Sequence, residues 1–535
     1  MRKRAFLLVL AGVLCLQAPS HDQDQWAAAQ EKLRAVAGIL EANYYKPLDE
    51  QQLAYASIRG TLDTLDPHSY FLDPESFSRQ REEYTGKYYG LGIQIQKQGE
   101  NIMVIAPIEG TPAWRLGIQS GDIISRINGE STVPISSYEA MQKLRGEKGT
   151  SVTITIVREG MDKPFDLTIT REEIPLLSVP YSFMLDNGVG YVFIRNFARE
   201  TPKELEDAMA KLSDQGMKSL ILDLRLNTGG PLVQCIEVAD LFFPKGTLIV
   251  SMKGRNPRYD SEFRSERDGQ YEKLPLVILI DQGTASASEI VSGAVMDHDR
   301  GLIVGEDSWG KGLVQTVFPL APDAAVALTV AKYLTPSGRS IQRDYSQIDD
   351  YLLLVKKAPE QSREVKYTDA GRKVLGQGGI TPDYKVNSYI KPFTARLRLS
   401  GAFFAYARAL VRHQTDLGKT FVFPQDPRGP EASGPGKIQV EKTFVVNEAV
   451  LADFRAFLKT RNTPYDEKAF KDAEEEVRRE LEREISGAIW GLEEGIRISR
   501  TADPAVLKAL EVLPEAARMA AKKAPASGPR KPGRS

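Results

Sequence analysis

Cysteine is almost absent from this chain. Its 535 residues contain two, Cys15 and Cys235, too few for a thiolate metal cluster. If the first twenty residues are removed, Cys235 stands alone. An internal disulfide is then impossible, and the cores must hold by packing. Histidine is equally scarce. His21, His68, His298 and His413 are scattered with no HxxxH spacing, which argues against a zinc site, so the expected metal set is none. An excess of either charge is also missing: 70 Lys and Arg face 71 Asp and Glu, for a net charge of −1. Without a basic field, nucleic acid is not an expected partner. A long apolar run is missing too. The best one, "AFLLVLAGVLCLQA", follows Arg2, Lys3 and Arg4 and is too short to span a bilayer comfortably.

That short run reads as a secretory signal over residues 1–20, with small residues near Ala18 to Ser20. Cleavage would leave no stable membrane span and an exported protein in the periplasm or cell envelope. An uncleaved segment would act as a tether. Leu14 before Cys15 is too large for the usual lipoprotein signal.

What is present is the composition of a soluble multidomain protein, 42% hydrophobic and 26% charged. Residues 21–84 carry helical spacing, as in "QWAAAQEKLRAVAGILEANYY", and are read as an N-terminal packing region. From 85 to 175 the pattern turns to strands, "LGIQIQ", "NIMVIAPI", "DIISRING" and "SVTITIVRE", with Asn128-Gly129 as a hairpin turn. Residues 176–390 alternate strands ("GVGYVFIRNF", "KSLILDLRLN", "LPLVILID", "GLIVG") with helices, which predicts βαβ units and a parallel sheet. Asp344–Gly379 interrupts this as a polar excursion. Residues 391–515 are mostly helical, and the charge run "KAFKDAEEEVRRELEREISGAIW" reads as a solvated helix face. Residues 516–535 are basic, rich in Ala, Pro, Gly and Ser, and expected to be disordered. The fold class is therefore α/β multidomain, with helical regions at both ends.

Three segments follow the carboxyl ends of the parallel strands: "LNTGGP" (226–231), "QGTASAS" (282–288) and "EDSWGKG" (306–312). Reactive crevices of parallel sheets lie outside these ends. Gly229-Gly230, Ser286 and Lys311 should therefore share one edge. His298, the obvious base for a serine, does not. It lies twelve residues along the helix from Ser286, about 18 Å at 1.5 Å per residue. It belongs at the helix's far end, where it favours the dipole. Lys311 can reach the edge, but it serves as a base only if burial lowers its pKa. Ser286 also has a purely architectural reading, since "SASE" fits a capping box, with Thr284 and Ser288 as competing caps. "GEDSWGK" imitates a phosphate loop. However, Gly312 stands where a hydroxyl is required and a strand follows instead of a helix, so nucleotide binding is rejected.

Two resemblances join these observations. "YYGLGIQI", "GTPAWRLGIQSGDIISRINGE" and "KGTSVTITIVREG" resemble a PDZ domain. There Gly90, Leu91, Gly92 and Ile93 would receive a peptide's terminal carboxylate, and the next strand would pair with the peptide. "DTLDPHSYFLDPESF", "LDLRLNTGGPL", "DQGTASASEIVSGAV", "VGEDSWGKGLVQT" and "LTPSGRSIQRD" resemble the carboxyl-terminal processing proteases, serine peptidases with a Ser–Lys dyad, a crotonase/ClpP-like core and an inserted PDZ domain. The resemblance covers residues 55–390. It implies Ser286 as nucleophile, Lys311 as general base and Gln315 as the residue orienting the lysine. It also implies an oxyanion hole from the N–H groups of Gly230 and Ala287, and Arg158 as a regulatory link at the end of the last PDZ strand. No cofactor is implied. The partners are proteins or peptides with exposed C-termini, with an adaptor or self-association through 391–515. The alternative is a catalytically idle PDZ scaffold.

Overall fold

The computed structural model describes residues 20–521, except 159, 321–322, 354–359, 388–389, 425–437, 443 and 462–464. The expected secretory segment, residues 1–20, therefore lies outside the described residues but for Ser20.

The centre is a six-stranded sheet. Tyr181–Leu185 runs antiparallel to Val189–Phe193. Ser219–Asp223, Leu276–Ile280, Leu302–Gly305 and Tyr384–Lys385 then add in parallel. The two central strands, SLILD and LVILI, are buried at every position, which explains their unbroken apolar sequence. Helices Thr201–Asp214, Leu232–Asp240 and Ala287–Asp297 cover one face. The opposite face is covered from far along the chain by helix Pro504–Ala521, which buries Ala505, Val506, Ala509, Val512, Leu513 and Ala516 against Val277, Leu279 and Val304. Its two valines and one leucine alone contribute roughly 5–9 kcal/mol of apolar burial.

A second sheet stands beside the first, in the order Tyr70–Leu72, Ala325–Leu334, Leu248–Gly254 and Ser261–Arg264, with Leu313–Pro319 also paired to Ala325–Leu334. The excursion at 344–379 carries a short helix, Ile348–Leu352, and a hairpin, Val365–Tyr367 with Lys373–Leu375.

The β-rich module has a six-stranded sheet: Ile93–Gln98, Asn101–Pro107, Ile123–Ile127, Ser151–Val157 and Phe165–Thr170 in that order, with Glu130–Ser131 also paired to Ile123–Ile127. Helix Ser137–Leu144 closes its core. Asn128 (φ 50°) and Gly129 (φ 83°) form the expected turn. Strand Phe165–Thr170 follows Val157, so Arg158 does not end the module's last strand as expected. Arg145 ties the module to helix Pro74–Thr85 through Glu82 at 2.6 Å.

Three regions differ from the sequence reading. Helix Ser20–Asn43 leaves Trp26, Leu33, Val36 and Ile39 exposed, so it is not a packing element within this chain. Helix Glu474–Trp490 is amphipathic. Val477, Leu481 and Ile485 enter a separate helical core, and buried Glu480 pairs with Arg398. Its charge run hid the apolar positions at helical spacing. The basic segment begins later than expected, because the last described helix runs through Ala516 to Ala521 before it. Alanines with little polar surface suit a sheet-facing helix as well as a loose tail.

Candidate active site

Ser286 follows the central strand Leu276–Ile280 and immediately precedes helix Ala287–Asp297. Its backbone sits at φ 56°, ψ −116°, a conformation that costs a non-glycine residue about 1–3 kcal/mol and clusters at functional sites. The loop before it is braced. Asp281 Oδ1 accepts from the N–H groups of Leu226 (2.8 Å) and Gly283 (2.9 Å). The two competing caps are used otherwise: Thr284 Oγ1 donates to the Leu224 carbonyl and Ser288 Oγ to the Asn227 carbonyl.

The "LNTGG" segment lies directly against this serine. Asn227 is fully buried; its Nδ2 donates to the Ile194 carbonyl and its Oδ1 accepts from Gly229 N–H. A Cβ on Gly229 would stand 2.9 Å from both Ser286 Cβ and Ala287 N. One on Gly230 (φ 155°) would stand 2.0 Å from the Phe197 carbonyl oxygen. Only glycine fits either place. The N–H groups of Gly230 and Ala287 donate to no described residue. They form a pair of donors beside the serine, at a helix N-terminus.

Lys311 arrives from the strand on the serine's other side, through a loop pinned by Trp309 N–H to the Thr284 carbonyl (2.9 Å). Its Nζ donates to Gln315 Oε1 at 2.5 Å. Strict strand alternation is broken by a bulge between Val314 and Gln315, yet the two side chains meet. Burial lowers the Lys311 pKa, against the opposing pull of Glu289 and Asp66. No hydrogen bond joins Lys311 to the Ser286 hydroxyl in this conformation.

Several residues that shape the site carried no catalytic signal in the sequence. Glu289, visible only as the end of a capping box, is fully buried and accepts four hydrogen bonds. The donors are Ser286 N–H (2.8 Å), Lys311 N–H (2.9 Å), Gly310 N–H (2.7 Å) and Ser308 Oγ (2.5 Å). It thus clamps the serine loop to the lysine loop. Burial raises its pKa, and these donors oppose the rise. From the N-terminal "DPHS" segment, the His68 carbonyl accepts from Gln315 Nε2. The His68 ring meets Tyr351 OH at 2.7 Å, and Trp309 Nε1 donates to the same hydroxyl at 3.0 Å. Burial first, then Lys311, pushes the His68 pKa down to about 4. Tyr351 comes from the polar excursion, where nothing in the sequence marked it.

His298 lies at the far end of the helix. Its ring bonds Asp369 and the Leu248 carbonyl, each at 2.7 Å. In the β-rich module, Gly90 ends a strand, Leu91 is buried, Gly92 has φ 77° and Ile93 begins the next strand. The N–H groups of Leu91 and Gly92 donate to no described residue. Arg158 makes a two-pronged pair with buried Asp122 (2.8 and 2.7 Å) and bonds the Gly117 carbonyl, all inside the module. Among the described residues, no group of three or more metal-binding side chains gathers, and no helix is long and apolar enough to cross a membrane.

Comparison with known proteins fits this geometry. The profile of Peptidase family S41 matches residues 188–350, and that of a PDZ domain matches 103–158. A carboxy-terminal-processing protease of Bartonella bacilliformis is 41% identical over 298 residues, spanning 55% of this chain and 68% of that one. A carboxyl-terminal-processing protease of Synechocystis is 37% identical over 316 residues, spanning 57% and 72%. Among solved structures, a photosystem II D1 C-terminal processing protease aligns at 26% identity with a TM-score of 0.36, covering 68% of this chain and 93% of that one. The chain is a peptidase carrying a PDZ domain, and it belongs to the carboxy-terminal-processing proteases of family S41.

Proposed function

We propose that this chain is an exported serine endopeptidase that binds protein C-termini through its PDZ domain and cleaves by a Ser–Lys dyad, on a core of the crotonase/ClpP-like kind. The observation that carries this reading is one sheet edge. A strained serine, two N–H groups with no acceptor among the described residues and a lysine with a lowered pKa lie in the segments that follow three consecutive parallel strands. Neutral Lys311 takes the Ser286 Oγ proton as Oγ attacks the peptide carbonyl carbon. The N–H groups of Gly230 and Ala287 hold the resulting oxyanion. Lys311 then passes the proton to the leaving amine as the C–N bond breaks. Water, deprotonated by the same lysine, releases the acyl group and restores Ser286. Gln315 orients the lysine amine.

The Gly90–Ile93 loop would take the substrate's terminal carboxylate on its N–H groups, raising the local concentration of substrate. Residues 1–20 would direct the chain to the envelope. The test is proteolysis of an unfolded protein and of peptides with free or amidated C-termini, by the parent, Ser286→Ala and Lys311→Ala. Cleavage by the parent alone, weakened by amidation, is expected. Equal peptide binding by all three with no cleavage and no acyl adduct would make the chain an idle scaffold.

A further inference from the structure

The C-terminal region returns to the peptidase core at one place where charge is buried. Strand Ser219–Asp223 ends in Asp223, which is fully buried. Its carboxylate accepts from Tyr191 OH (2.6 Å) and from the Arg225 side chain at both Nε (3.0 Å) and the guanidinium end (2.7 Å). The other arm of Arg225 meets Asp503 at 2.9 Å. Arg500 donates to Tyr191 OH at 2.8 Å and pairs with Asp503 at 3.3 Å. Two carboxylates thus balance two guanidinium groups. Burial alone would raise the Asp223 pKa, but Arg225 and Arg500 hold it below the ordinary carboxylate range.

Arg225 is also the second residue, after Leu224, of the loop that ends in Gly229-Gly230. After it comes Leu226 at φ 59°, then buried Asn227, whose side chain fixes Gly229. The Arg225 side chain is thus one anchor of the chain's exit from the strand, beside Asp281, which holds Leu226 N–H, and Asn227, which holds Gly229 N–H. Asp223 holds one arm from within the loop's own strand. Asp503 holds the other from nearly 280 residues away in sequence.

We propose that Asp503 and Arg500 are positioning residues for the oxyanion loop, so that the C-terminal region completes the catalytic site electrostatically without entering it. Without the Asp503 charge, two guanidinium groups share one carboxylate. Arg225 then loses its outer anchor, and the Leu226–Gly230 turn loosens at the donor beside Ser286. The inference rests on the reading of Gly230 N–H as an oxyanion donor.

The decisive variant is Asp503→Asn, which removes charge but keeps shape. It also keeps the cap, since Asp503 Oδ1 accepts from Ala505 N–H (2.9 Å) at the start of helix Pro504–Ala521, and asparagine caps equally well. Cleavage of a peptide substrate is measured beside inhibition by a peptide aldehyde of the same sequence, whose hemiacetal oxygen needs the same two donors. Rates are normalised to serine sites titrated with a fluorophosphonate. A drop in kcat of about ten- to a hundredfold is expected, with KM held and aldehyde affinity lowered in parallel. Asp503→Glu should recover part of the loss. Parental kcat and aldehyde affinity in Asp503→Asn would overturn the proposal. So would a loss that vanishes after normalisation, which would mean that only folding was affected. The parent and Ser286→Ala are run alongside. An inactive parent would sink the peptidase mechanism itself, whereas an active parent with an unaffected Asp503→Asn sinks this inference alone.

Discussion

Glu289 shows how much one side chain decides at this site. Its two oxygens face four donors at a fully buried position. In Glu289→Gln, the amide NH2 would face two of those donors. A buried donor left unsatisfied costs about 1–3 kcal/mol. The variant should lose roughly 2–4 kcal/mol of stability by chemical denaturation, and proteolysis should fall further than the unfolded fraction explains. His68 supplies a pH signature. Its pKa falls from the ordinary 6.5 in the unfolded chain to about 4 in the folded one. The folded state therefore binds fewer protons. The stabilising contribution is complete above pH 6.5 and is lost as pH falls from there toward 4. Denaturant midpoints measured at pH 7 and pH 4.5 should differ less in His68→Asn than in the parent. An identical pH dependence in the two would show that His68 is not the titrating group.

Among the elements, the parallel sheet was the easiest to foresee. SLILD and LVILI are apolar without alternation, and only strands covered on both faces read that way. Strand order then brought Gly229-Gly230, Ser286 and Lys311 to one edge without any knowledge of side chains. The residues joining these elements were harder to see. Glu289 looked like a helix cap because a cap and a clamp use the same oxygens. Tyr351 sits in a segment whose sequence has no period, and its partner His68 lies 283 positions away. Helix Pro504–Ala521 carried a clear apolar face, but nothing local said that the face belongs to the distant sheet. The glycine loop gives the test at this scale. Gly230→Ala places a methyl 2.0 Å from the Phe197 carbonyl at a φ of 155°, so the loop must move. Cleavage should fall by at least about a hundredfold, as when an oxyanion donor is lost, while circular dichroism stays near that of the parent.

For the molecule as a whole, peptide capture and peptide cleavage are assigned to different modules. Gly92 separates them experimentally. A Cβ there would come 2.3 Å from Thr111 Cβ at a φ of 77°, so Gly92→Ala should distort the carboxylate loop. Binding of a peptide with a free C-terminus, followed by fluorescence anisotropy, should weaken at least about tenfold. Cleavage of that peptide should then approach the rate of its amidated form. Equal affinity in the variant would place the carboxylate elsewhere.

The helix that seals the second face of the sheet is translated more than a hundred residues after the last strand it covers. While the nascent chain is being made, Val277, Leu279 and Val304 have no lid, and Arg225 has no outer carboxylate. The segments bearing the serine and lysine come first in the chain, but their sheet is covered on its second face, and Arg225 paired on its outer side, only once residues 500–521 have docked.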